Sequence, residues 1–518
     1  MKKTKKRPLT LEKYKQLAKK LSDQGKLDKA ENYYQEALSL NPTDIESYNF
    51  LGNILNQQNR ITEAIQCYQQ ALSLYPNYAS AFSNLGFALL KQGSQKEAIN
   101  AYRAAIQIQP TVIRYQNLLT SLLYADVINP TDIMQEHLKF NDFFPSSAPP
   151  AKKIVTANKS PLKIAYISGD FYYHSTTFFI YPILKHHNKE KFHITCYYSN
   201  THEDETTKKL KKYADTWVNC ATLTDEQLYQ KIKRDDIDIL IDLSGHTPLN
   251  RLGVLTRSPA PIQMTYLGYP NTTGLHTIDY KIVSKITTPI GDNDKWMSEK
   301  AVRLSECHCC FDPLMPPPPI SDLPAKKNGF ITFASFSRLD KLTSATFKLW
   351  CEVLHAVPAA KFLFYNSSFT DQEVKKLWLD RFQQAGIDPQ RLTFDYLPSI
   401  SKVFKKYADI DVILDTYPYN GCTTTCQALF MSVPVVTLTG ETTVSRVGLD
   451  LLHAVDLAHL APSKAADFTL SVLSLINDID SLQRLRENLQ QRMIASPLMD
   501  GARFTREMEA IYIASLSS

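Results

Sequence analysis

Proline stands at Pro42, Pro76 and Pro110, once every 34 residues, and other columns keep the same spacing. Ala30, Ala64 and Ala98 follow it, as do Ala37, Ala71 and Ala105, and Tyr34, Tyr68 and Tyr102. Leu51-Gly52 returns as Leu85-Gly86. So many columns in register exclude chance. A period of this length is that of a helix pair, with alanines where two helices approach closely and a proline that stops the second helix because it has no N–H to continue the ladder. No single pair buries its apolar face alone, so the pairs must stack.

This is the tetratricopeptide pattern. Full repeats cover 11–112, and 113–124 reads as the first helix of a further one. After Asn129-Pro130, residues 131–144 read as one more helix, which gives a repeat region of 11–144. A polar, proline-bearing linker is expected over 145–160. A stacked array presents a curved surface that holds peptides or protein partners; the alternative is an array that merely spaces or dimerises the chain.

From Pro161 onward the pattern changes to short apolar runs separated by helix-like stretches. Strands are predicted at 163–167, 194–198, 237–243, 262–267 and 280–283. After the proline-rich 313–324, further strands are predicted at 330–334, 361–365, 392–396, 412–414 and 435–438. Strands alternating with helices make parallel sheets covered on both faces. Two doubly wound lobes follow, 161–324 and 325–518, so the fold class is α repeats followed by α/β. A ligand of such lobes lies outside the carboxyl ends of the strands.

Residues with chemistry fall at those ends. The first run leads into SGDFYYHSTTFF, with Asp170 and His174, and 237–243 leads into SGHTPLNR, with His246. The run at 330–334 leads into SFSRLDKLT, with Lys341. The run at 412–414 leads into a turn containing Pro418, Asn420 and Gly421, then Thr423, Thr424 and Thr425 at the start of a helix. A helix start carries unpaired N–H groups and about half a positive charge, which suits a phosphate; the other reading is a threonine N-cap on a core helix. Each histidine likewise has a structural and a catalytic reading.

The remaining features mostly exclude. A net charge of +6 over 518 residues, with no basic stripe interleaved with aromatics, does not point to nucleic acid. The start MKKTKKR is basic like that of a signal peptide, but charged residues interrupt 8–21, and no segment has the ~20 apolar residues of a membrane span. A cytoplasmic chain is expected. Nine scattered cysteines fit a reducing compartment. Cys307, His308, Cys309 and Cys310 form a cluster. No second Cys or His pair lies at a finger-like distance, and neighbouring side chains in a strand point to opposite faces, so no metal is expected there.

The stretches IDLSGHTPLNRLGVLTRSPAPIQMTYLGYPNTTG, FASFSRLDKLT and LDTYPYNGCTTTCQALFMSVPVVTLTGETTVSRVG, behind the repeats, resemble the O-linked N-acetylglucosamine transferase family, including its SPINDLY-like and bacterial members. The resemblance spans about 11–452. It implies a two-lobed GT-B fold of Rossmann-like halves and inverting transfer from a UDP-sugar to a protein Ser or Thr. No cofactor and no metal are implied, since the nucleotide-sugar is a substrate. Lys341 is similar to the lysine on the donor diphosphate, and Thr423 and Thr424 match the threonines at the distal phosphate. Donor contacts are expected along Asn420, Gly421, Cys422, Thr423, Thr424 and Thr425. His174, His246 and Lys341 are the catalytic candidates.

The chain departs from the family at the nucleoside end. Val403 stands where a histidine commonly stacks on the base, Gln427 where a carboxylate meets the ribose, and Asp238 where the animal enzymes have a second histidine. Arg338 and Lys406 are candidates for replacement contacts. Three functions follow: a UDP-N-acetylglucosamine-dependent transferase whose repeats select protein acceptors, the same fold with GDP-fucose or another hexose donor, or a repeat scaffold with weak catalysis.

Overall fold

The computed structural model describes residues 9–126, 128–144, 160–396 and 400–516. The predicted linker therefore lies outside the described residues except for Ser160, as does the basic start of the chain. The repeats form α1 (Leu11–Asp23), α2 (Leu27–Leu40), α3 (Ile45–Gln57), α4 (Ile61–Leu74), α5 (Ala79–Gln92), α6 (Gln95–Ile108) and α7 (Val112–Leu122). Both alanine columns are fully buried. A Cβ at Gly52 would lie 2.5 Å from the Tyr68 ring, and one at Gly86 would lie 3.0 Å from Tyr102. The recurring glycine thus makes room for the recurring tyrosine. Pro42, Pro76 and Pro110 stand just past the ends of α2, α4 and α6.

Next comes α8 (Pro130–Leu138), and then a parallel sheet. Its chain order is β1 (Leu162–Ser168), α9 (Thr177–His186), β2 (Phe192–Tyr198), α10 (Glu205–Lys211), β3 (Thr216–Asn219), α11 (Asp225–Asp235), β4 (Ile239–Asp242), α12 (Leu252–Leu255), β5 (Ile262–Thr265), β6 (Tyr280–Ser284) and β7 (Lys300–Leu304). The strands lie in the order β3-β2-β1-β4-β5-β6-β7. Ile164 of β1 pairs with Ile194 on one side and Ile239 on the other, all three fully buried.

The second series is α13 (Pro324–Asn328), β8 (Thr332–Ser335), α14 (Ser344–Ala356), β9 (Lys361–Tyr365), α15 (Gln372–Gln384), β10 (Leu392–Asp395), α16 (Ile400–Lys406), β11 (Val412–Leu414), α17 (Thr423–Phe430) and β12 (Val435–Val436). Its strand order is β10-β9-β8-β11-β12. The chain closes with α18 (Val447–Ala454), α19 (Ala465–Ile476), α20 (Ile479–Ile494) and α21 (Gly501–Ser515). Each predicted run contains or overlaps a strand. Sequence reasoning missed β3 and β7, the two edges of the first sheet, because neither is a continuous buried apolar run. Among the described residues no helix is long and apolar enough to cross a membrane.

Contacts divide the chain into two compact units. One holds α1–α7 with two later segments, Arg338–Thr343 and the stretch carrying α15. Within it, Trp378 of α15 donates to the Gln92 carbonyl at 3.1 Å, and Asp371 accepts the Thr62 N–H at 2.8 Å. The other unit holds the first sheet, α8, and the second sheet from β8 to β11 and β12. In this unit the strand order changes direction between β1 and β4, and again between β8 and β11. Loops leaving the carboxyl ends at such a switch point are where open parallel sheets bind ligands.

Candidate functional site

The turn after β11 is built on one carboxylate. Asp415 Oδ1 accepts the N–H groups of Thr416 and Gly421, each at 2.8 Å, and Oδ2 accepts the Thr437 hydroxyl at 2.8 Å. Asn420 is buried; its amide donates to the Thr416 carbonyl at 2.9 Å and its oxygen accepts the Gly448 N–H at 3.2 Å. A Cβ at Gly421 would fall 2.5 Å from Thr424 Oγ1, so glycine lets the threonines fold back over the turn. Thr425 donates its hydroxyl to the Gly421 carbonyl at 3.0 Å.

Cys422 occupies the N-cap of α17, and no side chain caps the helix. The threonines therefore lie inside the first turn, and the N-cap reading of them does not hold. The first-turn N–H groups, those of Thr423, Thr424 and Thr425, have no intrahelical acceptor. Thr423 and Thr424 are half-buried at this positive helix end, an arrangement suited to an anion. Gln427, one turn along, is half-buried, as are Val403 and Lys406 on α16.

Beside this helix start the chain after β7 brings in His308. Its Nε2 stands 3.7 Å from Cys422 Sγ, while Nδ1 is 2.6 Å from Asp450 Oδ2 on α18. Burial opposes a charge on this imidazole, but the Asp450 carboxylate outweighs it and holds His308 well above its ordinary value. Asp450 also accepts the His308 N–H at 2.9 Å and the Cys307 thiol at 3.0 Å. Sequence reasoning noticed Cys307 and His308 but gave no signal for Asp450.

The two predicted histidines have unlike surroundings. His174, with a side chain 37% exposed, places Nδ1 3.7 Å from Asp170 Oδ2, and Nδ1 accepts the Thr176 N–H at 3.3 Å. Burial raises the Asp170 carboxyl, with His174 pulling the other way. His246 is only 2% exposed and bonds through Nε2 to the Thr273 carbonyl at 2.7 Å. Its ring is enclosed by Phe140, His137 and Tyr269, with centroids 4.6, 5.5 and 5.0 Å away. Burial pushes His246 well below its ordinary value, and the neighbouring His137 adds to the effect. Asp238 is buried as well, its carboxylate accepting the Lys163 N–H at 2.9 Å.

Lys341 and Arg338 belong to the unit of the repeats. Lys341 ends a single helical turn, Leu339–Lys341, and is half-buried. The Gln95 amide fixes that turn by donating to the carbonyls of Leu339, Asp340 and Leu342 at 3.1, 3.1 and 2.9 Å. Arg338 donates to the Tyr124 hydroxyl at 2.6 Å and pairs with Asp340 at 2.7 Å.

Comparison with known proteins bears on this arrangement directly. The model of glycosyl transferase family 41 matches residues 147–312 and 322–508. The chain belongs to glycosyl transferase family 41. Models of the tetratricopeptide repeat match 21–70, 52–93 and 79–112. Among relatives of this family 41 chain, a tomato protein (Solanum lycopersicum) described as a probable UDP-N-acetylglucosamine–peptide N-acetylglucosaminyltransferase SPINDLY is 38% identical over 359 residues. That match covers 68% of this chain and 38% of the tomato protein. The Arabidopsis thaliana protein of the same description is 35% identical, with 68% and 39% covered. The chain thus spans about two fifths of the length of the curated relatives it matches. The solved structure of a mutant O-GlcNAc transferase from Thermobaculum terrenum superposes with a TM-score of 0.89 at 28% identity, covering 98% of this chain and 97% of that one. Tetratricopeptide helices followed by GT-B-like parallel α/β domains are the shared architecture.

Proposed function

We propose that this family 41 chain is an inverting protein O-glycosyltransferase that moves N-acetylglucosamine from a UDP-sugar to serine or threonine. The observation that carries the reading is the uncapped start of α17, held by Asp415 at the carboxyl end of β11. A departing nucleoside diphosphate needs N–H and cationic donors where its charge develops. Thr423 and Thr424 serve its distal phosphate, and Lys341 is assigned to the diphosphate on the family resemblance. Donor binding falls to 325–518, with Asn420, Gly421, Cys422, Thr425 and Gln427 shaping the turn, and 161–324 carries the acceptor side. The repeats of 11–144 present protein acceptors, and the chain works in the cytoplasm.

His174 is the better candidate beside the acceptor hydroxyl. With Nδ1 accepting the Thr176 N–H, the neutral ring carries its proton on Nε2 and donates from there; turned to donate from Nδ1 to Asp170, it exposes Nε2 as an acceptor. His246, enclosed and bonded to a carbonyl, shapes the loop instead. Purified chain incubated with labelled UDP-N-acetylglucosamine and a protein extract should label proteins, and Lys341→Ala should abolish labelling with the fold intact. No labelling and no donor hydrolysis with any nucleotide-sugar would end the proposal.

Val403 and Gln427 favour one second reading, a different donor on the same scaffold. A thermal-shift comparison of UDP with GDP decides it, since a ligand at 100 times its Kd stabilises by about 2.7 kcal/mol.

A further inference from the structure

We infer that His308, Cys309, Cys422 and Cys426 form a tetrahedral binding site for a soft, zinc-like divalent metal ion. The segment after β7 is not a strand, so strand alternation does not separate its side chains. The ligand atoms of Cys307, His308 and Cys309 lie within 4.8 Å of one another. The second pair that the local sequence lacks comes from 114 residues along the chain, where α17 begins. Cys422 and Cys426 stand one turn apart on one face of that helix. The electrostatics of Cys309 are shaped by both of these thiols, and those of Cys422 by Cys426.

The distances suit a metal. Tetrahedral zinc with its usual bond lengths holds a sulfur and an imidazole nitrogen about 3.6 Å apart. Cys422 Sγ and His308 Nε2 are 3.7 Å apart. Behind the imidazole, Asp450 takes Nδ1 at 2.6 Å, which turns Nε2 toward the thiols. A carboxylate behind a ligating histidine is the usual support for such a ligand. Cys307 is bonded to the same Asp450 and stays outside the ligand set. Thiolate-rich tetrahedral sites select zinc-like ions over hard, oxygen-seeking ones. On binding, the thiol protons leave to solvent, and the ion ties the segment after β7 to the first turn of α17. The site rests on these contacts alone and stands whether or not the chain transfers a sugar.

The test is cobalt(II) titration of the chelator-treated full chain, read by visible absorption. A single equivalent giving the ligand-field bands of tetrahedral cobalt thiolate is expected. Cys309→Ser, Cys426→Ser and His308→Ala should lose those bands, while Cys307→Ser and Cys351→Ser should keep them. Should the variants misfold, alkylation mapping of the unaltered chain replaces them: zinc should protect Cys309, Cys422 and Cys426, and a chelator should expose them. An octahedral cobalt spectrum, no bands, a disulfide among these cysteines in the fresh chain, or protection indifferent to chelator would each overturn the site.

Discussion

The loops after β1 and β4 leave neighbouring strands at the same switch point, and both carry a histidine, yet they do opposite things with it. His174 stands half open with a carboxylate partner at 3.7 Å. His246 is sealed under aromatic rings and bonded to a backbone carbonyl. The roof over His246 is supplied by α8 and the residues after it, where His137 bonds to Tyr269 at 2.7 Å. A strand end supplies the position of a side chain; whatever packs above decides whether it meets a substrate or becomes core. The turn after β11 combines the two cases, with a buried, fully bonded base beneath an uncapped helix start.

The largest contrast should come from His174→Ala, which is expected to slow glycosyl transfer by roughly 10²–10⁴-fold while leaving urea unfolding unchanged. A variant with parental turnover would break the comparison. His246→Ala is expected to do the reverse. It loses a buried ring and a hydrogen bond, about 2–4 kcal/mol in urea unfolding, with turnover of the folded fraction close to parental.

Acid sharpens the same contrast. Burial lowers His137 to about 4, so it stays neutral in the fold and takes up a proton more readily when unfolded. Its contribution is therefore complete above its ordinary value of about 6.5 and is lost as pH falls from there toward 4. Measured at pH 5, the loss attributable to this ring is on the order of 2 kcal/mol. His137→Gln should flatten the slope between pH 7 and pH 5, with His246, Tyr269, Lys281, Glu299 and Glu136 left in place around it. The smallest effect belongs to Thr424→Val. Removing one hydroxyl at the helix start should weaken UDP binding by about 1 kcal/mol, near fivefold in calorimetry, without moving stability.

Much of this was legible beforehand. The repeat helices followed from columns of alanine, tyrosine and proline, and the inner strands from apolar runs, because both patterns are written within a few turns or one strand of themselves. The threonine turn was legible for the same reason. Exposure was not: nothing near His246 announces that Phe140 will cover it. Nor did Arg338 announce that its guanidinium goes to Tyr124 and Asp340.

By itself the sequence determined the 34-residue helix pairing, the two parallel sheets and which loops carry ionisable groups, since periodicity and burial of apolar runs are local properties. Tertiary structure alone decided which of those groups stay open, and it brought Cys422, with Cys426 one turn further along the same helix, to His308. Contacts between residues more than a hundred positions apart depend on how strands are ordered and covered, and no short window of the chain encodes that order.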